Sequence, residues 1–274
     1  MNAFHMNKTK PFLKWAGNKY RCIDTILSSL PPAKRLIEPF TGSGAIFINS
    51  DYPNYLLAEE NNDLVLLFKF LQKEGISFID YCAQFFSVAN NCEEKYYDFR
   101  EQFNKSTDLR YKAALFLYLN RHGYNGLCRY NQRGIYNVPF GRYSKPYFPR
   151  NEMHYFYQKS SQAEFCLGDF RQTFKQAKAG DLIYCDPPYV PLSPSANFAS
   201  YTNKKFKEAD QIDLALLAME SAARGITVII SNHDTEFTRH HYRDSKIISF
   251  PVTRLISCNA SKRQAAQELV AIFS

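Results

Sequence analysis

The run Arg35-Leu36-Ile37-Glu38 opens directly into Pro39-Phe40-Thr41-Gly42-Ser43-Gly44 and then the apolar stretch Ala45 to Ile48. A short apolar strand, a turn with two glycines and a helix start is how a nucleotide-type loop begins, because glycine lets backbone approach a ligand closely. A GxG on its own is usually only a turn. Here a second strand follows, Tyr55-Leu56-Leu57-Ala58, and it ends at Glu59 and Glu60, where folds of this kind hold ribose hydroxyls. Two such features in order commit the chain to an α/β architecture.

The alternation continues downstream. Strands are predicted over 164–167, 181–185 and 227–230, the last running into Ser231-Asn232-His233-Asp234, with an Ala/Leu-rich helix over 210–224. Two final strands, 246–250 and 268–273, have only an irregular link between them and are expected to pair antiparallel. The pattern predicts an α/β fold with a Rossmann-like mixed, mostly parallel sheet and ligands at the carboxyl ends of its strands. A helical stretch interrupts the strands. Leu64, Leu67, Phe68 and Leu71 recur at helix spacing behind Asn62 as N-cap; Phe78, Ile79, Cys82, Phe85 and Phe86 repeat the pattern. Leu115, Leu117, Tyr118 and Leu119 belong to a third helix starting near Thr107 or Asp108. These stripes read as core. The expected division is a catalytic domain of residues 1–61 and 160–274, with a small helical target-recognition insert over 62–159 carrying a basic loop at 121–150.

Charge singles out the same insert. The chain of 274 residues has 34 Lys and Arg against 26 Asp and Glu, a net +8. Residues 109–151 hold no acid but eight bases: Arg110, Lys112, Arg121, Arg129, Arg133, Arg142, Lys145 and Arg150. Without them the chain is balanced, so the excess sits in one segment, which points to a polyanion partner. The bland alternative is a solvated basic face. Residues 123–150 lack helix or strand period and contain four glycines, three prolines and seven aromatics. An ordered loop of that length is usually functional, and Arg and Tyr interleaved with Gly and Asn suit phosphate and base contacts. Arg110, Lys112 and Lys145 are the candidates for phosphate contact. Seven cysteines without a CxxC pair argue for reduced thiols in a cytosol, against a disulfide scaffold or zinc site. No apolar stretch of about 18 residues predicts a membrane span, and residues 1–10 lack the apolar core of a secretory signal.

Asp186-Pro187-Pro188-Tyr189 closes the buried strand 181–185. Two prolines stiffen the turn and remove two backbone donors, leaving carbonyls beside one carboxylate and one ring. Such a pocket suits a planar group bearing an NH2. Two acceptors hold both hydrogens, draw the nitrogen toward a tetrahedral shape and free a lone pair otherwise delocalised into the ring; the aromatic ring holds the base flat. A Pro-Pro turn alone is usually structural, but Asp before it and Tyr after it at a strand end favour function. His233 is weighed as a general base and favoured as structural. Cys185 reads as a buried strand residue and His240-His241 as a surface pair.

These blocks resemble the Dam family of DNA adenine methyltransferases: PFLKWAGNK at 11–19, EPFTGSG at 38–44, NRHGYNGLCRYN at 120–131, VPFGRY at 138–143, DPPY at 186–189 and ISNHD at 230–234, in the family's order over residues 11–274. The resemblance implies an S-adenosylmethionine-dependent enzyme that flips adenine out of duplex DNA at GATC and methylates its 6-amino group by direct in-line transfer. It further implies a monomer without metal or membrane attachment, in the cytoplasm of a bacterial or phage-infected cell, working on nucleoid DNA. By the same resemblance Trp15 and Lys19 are cofactor contacts, and Glu38, Phe40, Gly42 and Gly44 form the loop beneath methionine and ribose. Glu59 stands at the ribose hydroxyls, and Asp169 near the cofactor's adenine. Asp186, Pro187 and Tyr189 are catalytic, Asp186 also bordering the cofactor. Lys14, Tyr124, Asn125, Leu127, Arg129, Pro139 and Arg142 match positions that read, flip or hold DNA, Arg129 at one that reads a guanine. The chain departs from the family in three places: Asn18 replaces a second glycine, His122 stands where another aromatic is common, and Glu59 is one methylene longer than the usual Asp. Methylation of cytosine's exocyclic amine or of an RNA base, and a catalytically inactive DNA-binding regulator, are the alternative readings.

Overall fold

The computed structural model describes residues 8–190, 206–252 and 266–274. The polar amino-terminal start and the link between the last two strands therefore lie outside the described residues. Seven strands form one sheet: β1 (Arg35–Glu38), β2 (Tyr55–Glu59), β3 (Ala163–Leu167), β4 (Asp181–Cys185), β5 (Thr227–His233), β6 (Lys246–Val252) and β7 (Ala266–Phe273), in the order β3-β2-β1-β4-β5-β7-β6. The first five run parallel; β7 lies antiparallel to both β5 and β6. The mixed, mostly parallel sheet is as predicted. β5 extends past its predicted end because its polar tip keeps pairing with β7, through His233 opposite Glu268.

Both sheet faces are covered, as parallel strands require. Leu36, Leu182 and Tyr184 point into one apolar cluster, and Ile37, Ile183 and Cys185 into another. The first face carries α1 (Ile23–Leu27), the fully buried α2 (Ala45–Asn49), α3 (Asn62–Glu74) and, later in the chain, α7 (Arg150–Ser160). Between them come α4 (Ile76–Ala83), α5 (Glu93–Lys105) and α6 (Leu109–His122). The second face carries α8 (Phe170–Phe174) and α9 (Glu208–Ala222), which pack through Phe170, Phe174, Leu214 and Ala218; α10 (Glu236–His241) follows β5.

Asn61, not Asn62, caps α3: its side chain accepts from the Leu64 amide. Asp108 caps α6 as expected. Every residue of α6 from Ala113 to His122 is buried, so this helix is the axis of the insert, with α3, α4 and α5 around it. α3 and α7 lie on the sheet itself, and one apolar cluster runs from Leu36 and Ile229 in the sheet to Phe103 and Leu117 in the insert. α5 is absent from the sequence reading because it buries only Tyr96 and Phe103.

β1 and β4 are neighbours although the chain leaves β1 in one direction and β4 in the other. At such a reversal the connections diverge and leave a crevice at the strands' carboxyl ends, where open α/β sheets bind ligands. Glu38 ends β1 and Asp186 follows β4 at that crevice.

Candidate active site

The glycine loop forms the floor of one side. Gly42 and Gly44 take left-handed φ angles of +51° and +71°. A Cβ on Gly42 would lie 3.1 Å from the Trp15 indole nitrogen, so the ring is seated on the loop. Thr41 fixes the loop by donating its hydroxyl to the Glu38 and Ala58 carbonyls at 3.1 and 3.0 Å. Glu59, at the tip of β2, accepts from the Gly42 amide and the Asn61 amide, each at 3.1 Å. Glu38 is 2% exposed, and its Oε1 has no hydrogen-bond partner among the described residues. Burial first, and then the charge of Asp186, pushes the Glu38 carboxyl up to about 8. An orphaned buried acceptor needs a donor, since leaving it unmet costs the desolvation of the group.

Two residues assigned to this side by resemblance have other contacts. Phe40 packs into the second apolar cluster, its ring centroid 5.4 Å from Phe170 and 5.7 Å from Phe206. Asp169 caps α8: Oδ1 accepts the Arg171 amide at 2.8 Å and Oδ2 the Arg171 guanidinium at 3.2 Å.

The DPPY turn forms the other side. Asp186 pairs through Oδ1 with the buried Lys19 ammonium at 2.8 Å and accepts from Ser231 Oγ at 3.3 Å. Burial raises the Asp186 carboxyl, and Lys19 opposes the shift. Lys19 also donates to the Gly17 carbonyl at 2.7 Å and lies 4.3 Å from the Tyr189 ring centroid. Burial, reinforced by the charges of Asp186 and Glu268, holds the Tyr189 phenol well above its usual range, and its OH donates to Glu268 at 3.2 Å. The Pro188 carbonyl accepts from Gln211 Nε2 at 2.7 Å. No donor among the described residues lies on the Pro187 carbonyl. His233 has the structural contacts favoured for it: its Nδ1 donates to the Val190 carbonyl at 2.7 Å and its ring packs edge-on to Tyr189 at 4.6 Å.

The insert presents the third group. α6 delivers Asn120 and Gly123 to the start of the long loop, and Asn120 clasps Lys14, accepting from its amide at 2.9 Å and donating to its carbonyl at 2.7 Å. Gly126 is left-handed at +63°, and a Cβ there would come within 2.3 Å of Lys14 Cβ. Lys14 Nζ lies 3.9 Å from the Tyr143 ring centroid. The loop has its own order: Tyr130 bridges Tyr136, and the Asn137 amide donates to the Arg129 carbonyl at 3.1 Å. Tyr124, Asn125, Pro139 and Arg142 are exposed, and Leu127 is half-buried. The Tyr124 amide donates to the Pro139 carbonyl at 2.9 Å, which places those two positions together. Arg129 forks onto Asn137, donating to its side-chain oxygen at 2.8 Å and its carbonyl at 3.1 Å.

The acid-free window is less basic in space than in sequence. Arg110 pairs with Glu74 at 2.7 Å, Lys112 with Asp63 at 3.2 Å, and Arg150 with Asp80 at 2.6 Å, all acids of α3 and α4. Arg142 lies 3.7 Å from Glu93. Arg121 is buried, donating to the Tyr147 carbonyl at 2.9 Å. Arg110 and Lys112, offered by the sequence as phosphate contacts, are thus each paired with an acid of α3. Arg133 and Lys145 have no acidic partner within 4.0 Å among the described residues.

Sequence reasoning assigned nothing to Gln211, Asn232, Tyr242 or Glu268. The available signal was the polar run Ser231-Asn232-His233, which stays 0–2% exposed at the end of an apolar strand. Polar groups that deep are there to be hydrogen-bonded.

Known proteins match the sequence along nearly its whole length. A DNA adenine methylase of Vibrio cholerae serotype O1 is 46% identical over 270 residues, spanning 98% of both chains. That of Escherichia coli K12 is 45% identical over 268 residues, 98% of this chain and 96% of its own. That of Serratia marcescens is 46% identical over 269 residues, 98% of this chain and 100% of its own. The family of D12 class N6 adenine-specific DNA methyltransferases matches residues 15–256, a span that includes the glycine loop, the insert and the DPPY turn. By sequence along nearly its whole length, the chain belongs to this family of adenine-specific DNA methyltransferases.

Proposed function

We propose that the crevice between β1 and β4 takes S-adenosylmethionine on the glycine-loop side and a flipped adenine on the DPPY side, and that the preferred duplex site is GATC. The observation that carries this reading is the Pro187 carbonyl: among the described residues it has no donor, while its neighbour, the Pro188 carbonyl, is already occupied. One carboxylate and one open carbonyl match the two hydrogens of an exocyclic amine. The loop residues suit the cofactor. Gly42 and Gly44 keep the floor open, Trp15 lines it, Glu59 offers lone pairs for ribose hydroxyls, and the orphaned Glu38 oxygen offers an acceptor for an ammonium. When bound, the cofactor supplies a sulfonium methyl open to in-line attack by a nitrogen lone pair.

The chain's own residues do the rest. A base inside a duplex is out of reach, so it must leave the stack. Asp186 and the Pro187 carbonyl then hold the amine, and Tyr189 holds the ring flat. Positioning and a carboxylate next to developing positive charge are the sources of rate. Phe40 and Asp169 contribute through the walls of the cofactor side. Residues 1–61 and 160–274 form the catalytic part; 62–159 reads DNA through Tyr124, Asn125, Leu127, Arg129, Pro139 and Arg142, joined by Lys14 of the amino-terminal arm. The similarity of these loop residues to the Dam pattern supports GATC. The test is labelled S-adenosylmethionine with purified protein and duplexes containing GATC. Label in the 6-amino group of that adenine is expected; label in cytosine, or only in RNA, overturns the reading, and cofactor binding without transfer makes the protein a regulator.

A further inference from the structure

The DPPY turn is held by a buried amide relay. Asn232 and Gln211 are 0% and 4% exposed, and Tyr242 is 1% exposed. Asn232 Oδ1 accepts two backbone amides, His233 at 2.9 Å and Val190 at 3.3 Å. Its Nδ2 donates to Gln211 Oε1 at 3.0 Å and to the Tyr242 hydroxyl at 3.1 Å. This fixes the orientation of both amides. With its oxygen turned to Asn232, Gln211 can present only its NH2 to the Pro188 carbonyl, which it meets at 2.7 Å. His233 holds the Val190 carbonyl from the same strand end. The turn is therefore gripped at the Pro188 carbonyl and at both backbone groups of Val190, and the Pro187 carbonyl is left out of the grip.

We infer that Gln211 is a positioning residue for methyl transfer: by capping the Pro188 carbonyl it makes the Pro187 carbonyl the acceptor that the target amine uses, and Asn232 sets Gln211 in the orientation for this. The inference rests on the reading of Asp186 and Pro187 as the amine's acceptors. Without the cap, two adjacent carbonyls compete for the amine, and the turn loses the anchor that aims either of them. A shift of about 1 Å in a reacting group costs up to about a hundredfold in rate.

The experiment compares Gln211→Met, which keeps length and removes the donor, with Gln211→Glu, which sets an acceptor against the carbonyl. Single-turnover transfer on a GATC duplex should fall about 10- to 100-fold for Met and further for Glu. Dissociation constants for S-adenosylmethionine and duplex should stay within about twofold, because Gln211 touches neither. Thermal melting reports folding. If Gln211→Met does not fold, Tyr242→Phe removes only the hydroxyl that accepts from Asn232, and a severalfold slowing with unchanged binding is expected. Transfer by the Met variant within about twofold of the parent overturns the inference, as does a loss confined to binding. Asp186→Ala run alongside separates the two levels: if it transfers normally, the reading of the site fails before Gln211 is judged.

Discussion

The catalytic turn and the recognition loop are both irregular segments, yet they are held in opposite ways. The turn after β4 has its backbone gripped by side chains that are nearly inaccessible to solvent, from α9 and the end of β5. The recognition loop is gripped by one face of α5: Tyr96 and Arg100 donate to the Val138 carbonyl at 3.0 and 2.9 Å, and Asn104 exchanges bonds with the backbone of Tyr136. Cys128, Tyr136 and Val138 anchor it in the core, while Tyr124, Asn125, Arg133, Pro139, Arg142 and Lys145 are exposed. The turn is thus set before any ligand arrives, whereas Arg129 spends two of its five N–H donors on Asn137 and has the others left. In the proposed reading the chemistry is preorganised, and the base contact is negotiated beside Asn137.

Four variants break or sharpen that contrast. Asp186→Ala strikes the preset side and should cost about a hundredfold or more in single-turnover rate, with DNA binding nearly unchanged. A rate within a few-fold of the parent removes Asp186 from the chemistry. Arg129→Ala strikes the negotiated side. A bidentate arginine–guanine contact is worth about 1–3 kcal/mol, so the rate ratio between GATC and sites altered at an outer base pair should shrink by about 5- to 100-fold. A uniform decline across sites marks Arg129 as a backbone contact instead. The smallest effect concerns charge. Replacing Arg133 and Lys145 together with glutamine should flatten the salt dependence of DNA affinity by roughly one unit of log–log slope for each phosphate no longer neutralised. The same change at Arg110 and Lys112 should leave the slope alone and lower the melting temperature, since Glu74 and Asp63 lose their partners. The reverse pattern restores the sequence-based assignment.

β1 and β4 were legible because each is a short apolar run ending in a chemically loud turn, Glu38 into the glycine loop and Cys185 into DPPY. α5 was not, and its role explains why. Tyr96, Arg100 and Asn104 recur every four residues and bind the loop's backbone, so only Tyr96 and Phe103 of this helix enter the core. Apolar periodicity misses such a helix. The pairing of Arg110, Lys112 and Arg150 was hidden for a different reason: their acids precede the window in which charge was counted. Gln211 gave no signal at all, because its partners Pro188 and Asn232 lie 23 and 21 residues away in sequence.

The clasp between Lys14 and Asn120 joins residues 106 positions apart. Closing so long a loop carries an entropic cost that local structure cannot offset. The arm bearing Trp15 and Lys19 is therefore seated by α6 of the insert as well as by the sheet-side core that takes Phe12 and Leu13. The insert and the arm are in this sense one packed unit. Grafting a foreign insert onto this sheet to change the site read would also have to rebuild the seat of the arm that bears Trp15 and Lys19, the cofactor contacts of the proposed reading.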